Sequence, residues 1–595
     1  MAAPTQAISR DAAWLFGRTL DLGFGAGFVY LATFPLLLLA PTLFGVDSWP
    51  ILVVAAISFF ISAPHYGATL LRVYEQRADR QRYAFFAVHL TIFLVAAFMF
   101  GVYSVTVGSL LLTVYITTSP WHVGGQNYGV ALMFLRRRGI DVDPLGKRLL
   151  YLSFVFAFVL AFLSTHTSGS NVIYAPGAES GGSHFSVLRL GIPPGFASIA
   201  GPAVFLVYLG CVLGALWRFS RQARVADLVP VVSILLSQAL WFVVPVLLFF
   251  TGDYSGALLP FAAIWISAAH SVQYLWVTTY YAQRADPELG SRTYLLRALL
   301  AGAFVTMVPG FLFLPELLGG VSWHAGLGVL LFAVVNLHHF ALDGAVWKLR
   351  DGQVAKALLR SGPSDAPTER RAPGRGWTAV WVAGALALAV GVYELAERRL
   401  SLGAVTYETL AQAGGALDRL RWVGRDSAED RAALGRAYAQ RGNVAAAVAQ
   451  YERSVFIQPS LAGWIGLGES RAAQEQWPEA LAAYAEAQAL AGDAPGLWTR
   501  IADVHGAWEA SSSGSEAAAH RSEAISALEQ ALGLDPSLAH ANRALARAYV
   551  RDGRTGDAVA LLEAALGAVA PDARGAMRRE LRKLTAAREA PGQAS

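Results

Sequence analysis

The chain has 595 residues, of which 55% are hydrophobic and only 15% charged. Soluble domains carry about 25% charged residues, and the mean hydropathy here is +0.43. Together these exclude a wholly soluble multidomain protein and a disordered one.

Charge divides the chain. From position 400 onward there are 20 basic and 23 acidic residues, which leaves 27 basic and 19 acidic before it. The first two-thirds reads as membrane-embedded and the last third as soluble. Cys211 is the single cysteine, so one chain can form no disulfide and no thiolate metal site. The pI near 9.2 does not point to nucleic acid, because the surplus cations sit in short loops between apolar runs.

In chain order, the first 22 residues carry Arg10, Asp11, Arg18 and Asp21 and lack the short apolar core of a removable signal peptide. A membrane span needs about 20 apolar residues. Eleven segments meet that expectation: 23–45, 50–73, 83–105, 107–135, 148–166, 196–218, 228–251, 256–283, 294–315, 322–348 and 376–395. The predicted fold class is all-α: a polytopic helical bundle over 1–397, then a soluble α-solenoid.

The loops alternate in charge. Arg72 to Arg82, Arg136 to Arg148, Arg218 to Arg224, Arg284 to Arg292 and Lys348 to Arg375 are basic. The loops around Asp47, Asp253 and Glu316 hold no Lys or Arg, and the long loop 167–195 holds only Arg189. By the positive-inside rule the basic loops and the N-terminus are cytoplasmic. Eleven spans then place the C-terminal domain in the periplasm of a Gram-negative bacterium, and the protein in the inner membrane.

Nine of the twelve histidines precede position 400. His166, His184 and His324 fall at outer ends or in the outer loop. His65, His89, His122, His270, His338 and His339 fall within spans, where an ionisable group is costly and marks a polar interior. Counted from the basic ends, these histidines lie roughly 10 to 21 Å inside the inner boundary. Five spans therefore carry histidine in one layer.

Their contexts repeat. Ser62, Ser119 and Ser267 each stand three residues before a histidine, and Asn336 stands there before His339. Thr69, Gln126 and Asp343 follow at i+4, and Gln273 at i+3, on the same helix faces. Such groups commonly orient metal-bound imidazoles. Gly67, Gly124, Gly125, Gly129 and Gly344 keep those faces slim. Tyr66, Trp121, Tyr128, Tyr274, Trp276, Phe340 and Trp347 supply an aromatic lining suited to a polyene or acyl chain.

An imidazole set without thiolate suits iron, copper or zinc. Zinc hydrolysis wants a general base, often Glu, and none lies in this layer. Non-haem iron acting with oxygen on a lipophilic substrate is the first expectation, with His65, His89, His122, His270, His338 and His339 as candidate ligands. Bis-histidine haem is the alternative cofactor. A non-enzymatic scaffold or transporter is the alternative function.

The stretches Pro64-His-Tyr-Gly-Ala68 and His122-Val-Gly-Gly-Gln-Asn127 resemble the Pro-His-Gly-Ala and His-Trp-Gly-type motifs of the Brp/Blh carotenoid dioxygenases. The likeness spans about 80 residues. It implies a polytopic enzyme that holds iron by histidines and splits a polyene double bond, with His65, His122, His270 and His339 as ligands. The chain departs from that family at Thr69-Leu70, where an Asp usually follows, and in its added C-terminal domain.

Residues 398–427 are expected to be a helical connection. Leu434, Gly435, Tyr438, Gly442, Ala447, Tyr451 and Pro459 then follow tetratricopeptide spacing. The pattern returns at Trp464, Leu467, Gly468, Ala480, Tyr484 and Ala487. It returns again from Trp498 to Pro536, with about ten extra residues at Ser511–His520, and from Leu545 to Ala565. The match identifies 428–568 as a member of the tetratricopeptide family. It implies a curved solenoid whose groove takes a peptide or protein partner, closed by a capping helix and tail over 569–595.

Overall fold

In this computed structural model the described residues are 13–35, 53, 56–168, 184–313, 318–319, 321–347, 352–359, 374–399 and 409–589, save 252–258. The expected loop residues Asp47, Asp253 and Glu316, together with Lys348 and the linker prolines 363, 367 and 373, lie outside them. Helices supply all the regular structure among the described residues, with one isolated bridge between Thr167 and Ile192. The chain divides into two compact units, Met1–Arg399 and Leu400–Ser595.

Among the described residues, the longer helices of the first unit are α1 (Ala63–Tyr74), α2 (Phe85–Tyr103), α3 (Val105–Arg137), α4 (Pro144–His166), α5 (Pro194–Ser220), α6 (Val225–Leu247), α7 (Leu259–Ala285), α8 (Ser291–Leu312), α9 (Trp323–Val346), α10 (Gly352–Leu359) and α11 (Arg375–Glu397). Among the described residues seven of them, not eleven, are long and apolar enough to cross a membrane: α2, α4, α5, α6, α8, α9 and α11. The shortfall has a physical pattern. Helices α3 and α7 have 33 and 27 residues, ample length, but His122, Gln126, Asn127, His270 and Gln273 dilute their hydropathy. Helix α1 has 12 residues after a π-helical turn, Ser58–Ser62. Much of the expected 23–45 span lies outside the described residues.

Glycine sets the closest helix crossing. A Cβ at Gly67 of α1 would lie 1.8 Å from the Ala298 carbonyl oxygen of α8, and one at Gly302 would lie 1.7 Å from that of Ala63. The two backbones touch because neither position has a side chain. At the start of α4, Asp143 accepts from the Leu145 and Gly146 amides and pairs with Arg218 of α5 at 2.7 Å. The basic loop from Lys348 to Arg375 holds helix α10. Val354 and Leu358 of that helix are buried, and Arg137 Nη1 donates to the Leu358 carbonyl at 2.8 Å.

The second unit starts with α12 (Leu410–Trp422). Four helix pairs follow: α13 and α14 (Ala428–Ala439, Val444–Ile457), α15 and α16 (Leu461–Ala472, Trp477–Ala491), α17 and α18 (Pro495–Ser511, Gly514–Leu534), α19 and α20 (Ala539–Arg551, Thr555–Ala568). The chain closes on α21 (Pro571–Glu589). Ser427, Asn443 and Ser460 cap the helices that follow them by accepting amide hydrogen bonds. Gly466 and Gly468 admit large neighbours: a Cβ there would stand 2.2 Å from Tyr451 and 2.6 Å from Tyr484.

Arg431 ties α12 to the repeats. Its guanidinium, 2% exposed, donates to Asp426, Asp418 and Gln450, each at 2.8 Å. Removing one partner of a buried ion pair leaves the other charge stranded. Arg431→Ala is expected to lower the stability of this unit by about 3 kcal/mol, read as a fall in the urea midpoint of tryptophan fluorescence.

Candidate metal centre

The first unit gathers histidines from four separate helices. His65 of α1, His122 of α3, His270 of α7 and His339 of α9 form a ring of side chains. Ring centroids are 4.9 Å apart for His65–His270, 5.0 Å for His270–His122, 4.8 Å for His122–His339 and 4.2 Å for His339–His65. The diagonal His270–His339 measures 6.4 Å. These distances describe a near-square.

The ligand atoms of His65, His270 and His339 all lie within 4.8 Å of one another, as do those of His122, His339 and Asp343. His65 Nδ1, His122 Nε2, both nitrogens of His270 and His339 Nε2 are buried without a hydrogen-bond partner. Buried polar atoms normally have one. An unpaired imidazole nitrogen costs about 1–3 kcal/mol, and this site holds five. Half of the diagonal, about 3.2 Å, suits a central metal with bonds near 2.1 Å and about 1.1 Å more to the ring centre.

A polar network backs His339. Thr69 Oγ1 lies 2.9 Å from His339 Nδ1, 3.1 Å from Asp343 Oδ1 and 2.6 Å from the Tyr274 hydroxyl. Tyr274 donates to Asp343 Oδ1 at 2.7 Å and accepts from Trp347 Nε1 at 3.1 Å. Thr69 has one hydroxyl proton for these contacts, and its oxygen can accept from His339 Nδ1–H. In the tautomer that carries the proton on Nδ1, His339 Nε2 keeps a free lone pair. Asp343 Oδ2 stands 3.5 Å from that Nε2.

Several sequence expectations are corrected by this geometry. His338 turns out of the square and meets the Tyr74 and Thr91 hydroxyls at 2.9 Å; adjacent residues on a helix point about 100° apart. His89 is exposed, beside Phe85. Thr69, expected beside His65 at i+4, serves His339 across the helix interface. Gln126 donates to Gln273 and to the His270 carbonyl rather than to His122, and Gln273 donates to the Gly25 carbonyl. Asn336 accepts from Tyr66. Ser62, Ser119 and Ser267 make no hydrogen bond to a histidine of the square among the described residues, and Ser119 pairs with Tyr115. The Tyr274 hydroxyl as a supporting group was not legible in the sequence, since i+4 from His270 marks the ring only as a face neighbour.

A cavity of about 280 Å³ opens beside His122 and Asp343. Trp121, Phe340 and Trp347 supply aromatic walls, and Leu358 of α10 reaches it. Gly125, Gly129 and Gly344 line it, and a Cβ at any of them would meet nothing within 4 Å. These glycines are where the space comes from.

Residues 517–579 match the tetratricopeptide repeat family model. No curated protein sequence matches the chain. Solved structures similar to it include MamA 41-end from Desulfovibrio magneticus RS-1, at 16% identity over 29% of this chain and 93% of that one, with a TM-score of 0.25. A second MamA crystal structure is 18% identical over 28% and 95%, TM-score 0.23. A thermophilic TPR protein of Thermus thermophilus is 20% identical over 32% and 98%, TM-score 0.23.

The C-terminal unit carries a tetratricopeptide repeat domain. Such domains bind protein partners. In this one a groove of about 560 Å³ is lined by Glu509, Arg521, Arg547 and Arg551. Glu509 accepts from both Arg521 and Arg551. Burial alone would raise its carboxyl, but the two guanidiniums outweigh burial and hold it below the ordinary Glu range. Arg547 and Arg543 share Glu580 of α21 in the same way.

Proposed function

We propose that the first unit is a polytopic inner-membrane oxygenase or desaturase that holds one non-haem iron and acts on a lipophilic substrate. One observation carries this reading: four imidazoles from four helices stand in a near-square with their inward nitrogens unpaired, beside an apolar cavity. His65, His122, His270 and His339 would hold the iron, which supplies oxygen activation when bound. Thr69, Asp343 and Tyr274 keep the Nδ1 proton on His339. Trp121, Phe340 and Trp347 hold an extended apolar chain against His122 and exclude water. The likeness of Pro64–Ala68 and His122–Asn127 to carotenoid-cleaving enzymes agrees with a polyene, among other chains.

Iron suits the site better than haem. The His65 and His122 rings stand 4.2–5.0 Å from both His270 and His339. They occupy the space a porphyrin between those two would need. For topology, the basic loops favour a cytoplasmic N-terminus. His324 at the start of α9 pairs with Glu394 near the end of α11 at 3.1 Å, in keeping with both ends on the outer side. The tetratricopeptide domain would then face the periplasm and recruit a protein partner through its groove.

Metal analysis with an absorption spectrum of the purified protein tests the proposal. About one iron per chain without a Soret band is expected. A Soret band, or no metal at all, overturns it. A second measurement tests the cavity. A Cβ at Gly129 meets nothing within 4 Å and the residue lines the cavity, so in Gly129→Leu iron content is expected to hold while binding of long apolar ligands weakens about tenfold or more.

A further inference from the structure

The second unit holds another pair of close imidazoles. His505 on α17 and His520 on α18 bring their Nδ1 atoms within 3.3 Å. Trp508 stacks on His520 with ring centroids 3.9 Å apart and planes 23° from parallel, and lies nearly parallel to His505. Three rings thus fix the pair between two helices.

The site falls where the repeat array departs from its own pattern. Helices α17 and α18 have 17 and 21 residues, against 12 and 14 in α13 and α14. The additional turns hold Trp508 and His520. Glu523 follows His520 at i+3, on the same helix face. It is exposed and acts electrostatically on His505.

Two nitrogens bonded to one metal at 2.0–2.1 Å in tetrahedral geometry stand about 3.3–3.4 Å apart. The observed separation matches that edge. Two imidazoles and a carboxylate, with no thiolate, select zinc, nickel or copper rather than magnesium or calcium. A bare hydrogen bond between the two rings is the competing explanation, and it requires no ligand.

We propose that the α17–α18 hairpin binds a divalent transition-metal ion through Nδ1 of His505 and of His520, with the exposed Glu523 side chain turning toward the ion as a third protein ligand. The ion staples the longest helix pair of the array at the root of its extension. This site is separate from the intramembrane histidines and does not depend on their function.

The test uses the full chain in detergent, stripped with a chelator and titrated with zinc chloride. Wild type is expected to bind one more zinc per chain than a His505→Gln, His520→Gln double variant. Copper(II) is expected to quench Trp508 in wild type, and Trp508→Phe to lose the quenching while keeping the zinc stoichiometry. Glu523→Gln, at an exposed position, is expected to weaken zinc binding about tenfold without disturbing the fold. Equal zinc uptake by wild type and the double variant, or no effect of Glu523→Gln together with no quenching by copper, overturns the proposal. That result would leave the direct hydrogen bond between the rings as the full account.

Discussion

Replacing His122 or His339 with alanine is expected to strip iron from the purified protein and abolish oxidation of a lipophilic substrate. Each side chain is one corner of the square, and each brings an unpaired nitrogen to it. Without one corner, three imidazoles remain and the metal loses a bond that the protein cannot replace. The folded state should survive best in His122→Ala, because the His122 Nε2 it removes has no protein partner to strand, whereas His339→Ala also releases Thr69. Size-exclusion behaviour and tryptophan emission are therefore expected to stay near wild type while metal content falls. Asp343→Asn and Thr69→Val should weaken metal retention about 10- to 100-fold, since they loosen the His339 ring without removing a ligand. His338→Ala and His89→Ala are the contrast. Both belong to the same expected histidine set, but one bonds to Tyr74 and Thr91 and the other is exposed. Both variants should keep their iron. Equal iron loss in all four histidine variants would mean that the square is not the site.

Gly67→Leu is expected to disrupt the first unit more than any substitution in the cavity. Its Cβ alone would lie 1.8 Å from the Ala298 oxygen and 2.7 Å from the Gly302 nitrogen. Backbone atoms cannot rotate aside as side chains do, so α1 and α8 must separate. Overpacking of a close core contact costs about 1–3 kcal/mol and more where backbones meet. Separation also withdraws His65, two residues earlier on α1, so iron should be lost together with stability. Gly67→Ala already places the offending atom and should show the same effect at smaller scale. Thermal unfolding in detergent and iron content measure the two consequences. A Gly67→Ala protein that melts as wild type and retains its iron would refute the backbone contact. Gly129→Leu provides the internal comparison: a glycine on a neighbouring helix, with open space in place of a carbonyl.

Charge distribution along the chain put a boundary near position 400, where the chain divides into two compact units. Tetratricopeptide spacing was enough to place the helix pairs, because Gly466 and Gly468 must be small where Tyr451 and Tyr484 pack. The sequence contexts singled out six histidines, of which His65, His122, His270 and His339 converge. Periodicity along one helix carries depth and face, and those are the quantities these inferences used.

Tertiary structure decided the rest. His338 and His339 are neighbours in the chain at nearly equal depth, and only the packing of α9 against α1, α2 and α3 tells which one faces the square. Thr69 follows His65 by four residues but serves His339, because a shared face leads to a shared partner on another helix. The span count fell short of eleven for a related reason. Helices α3 and α7, long enough but not apolar enough, carry His122 and His270, while α1, which carries His65, falls short in length. The side chains that gather at a polar centre are also the ones that lower the mean hydropathy of the helices that carry them. Hydropathy is summed along one helix, whereas a site is assembled between several. Composition along the chain therefore separated its two parts, and the convergence of four helices decided which histidines come together.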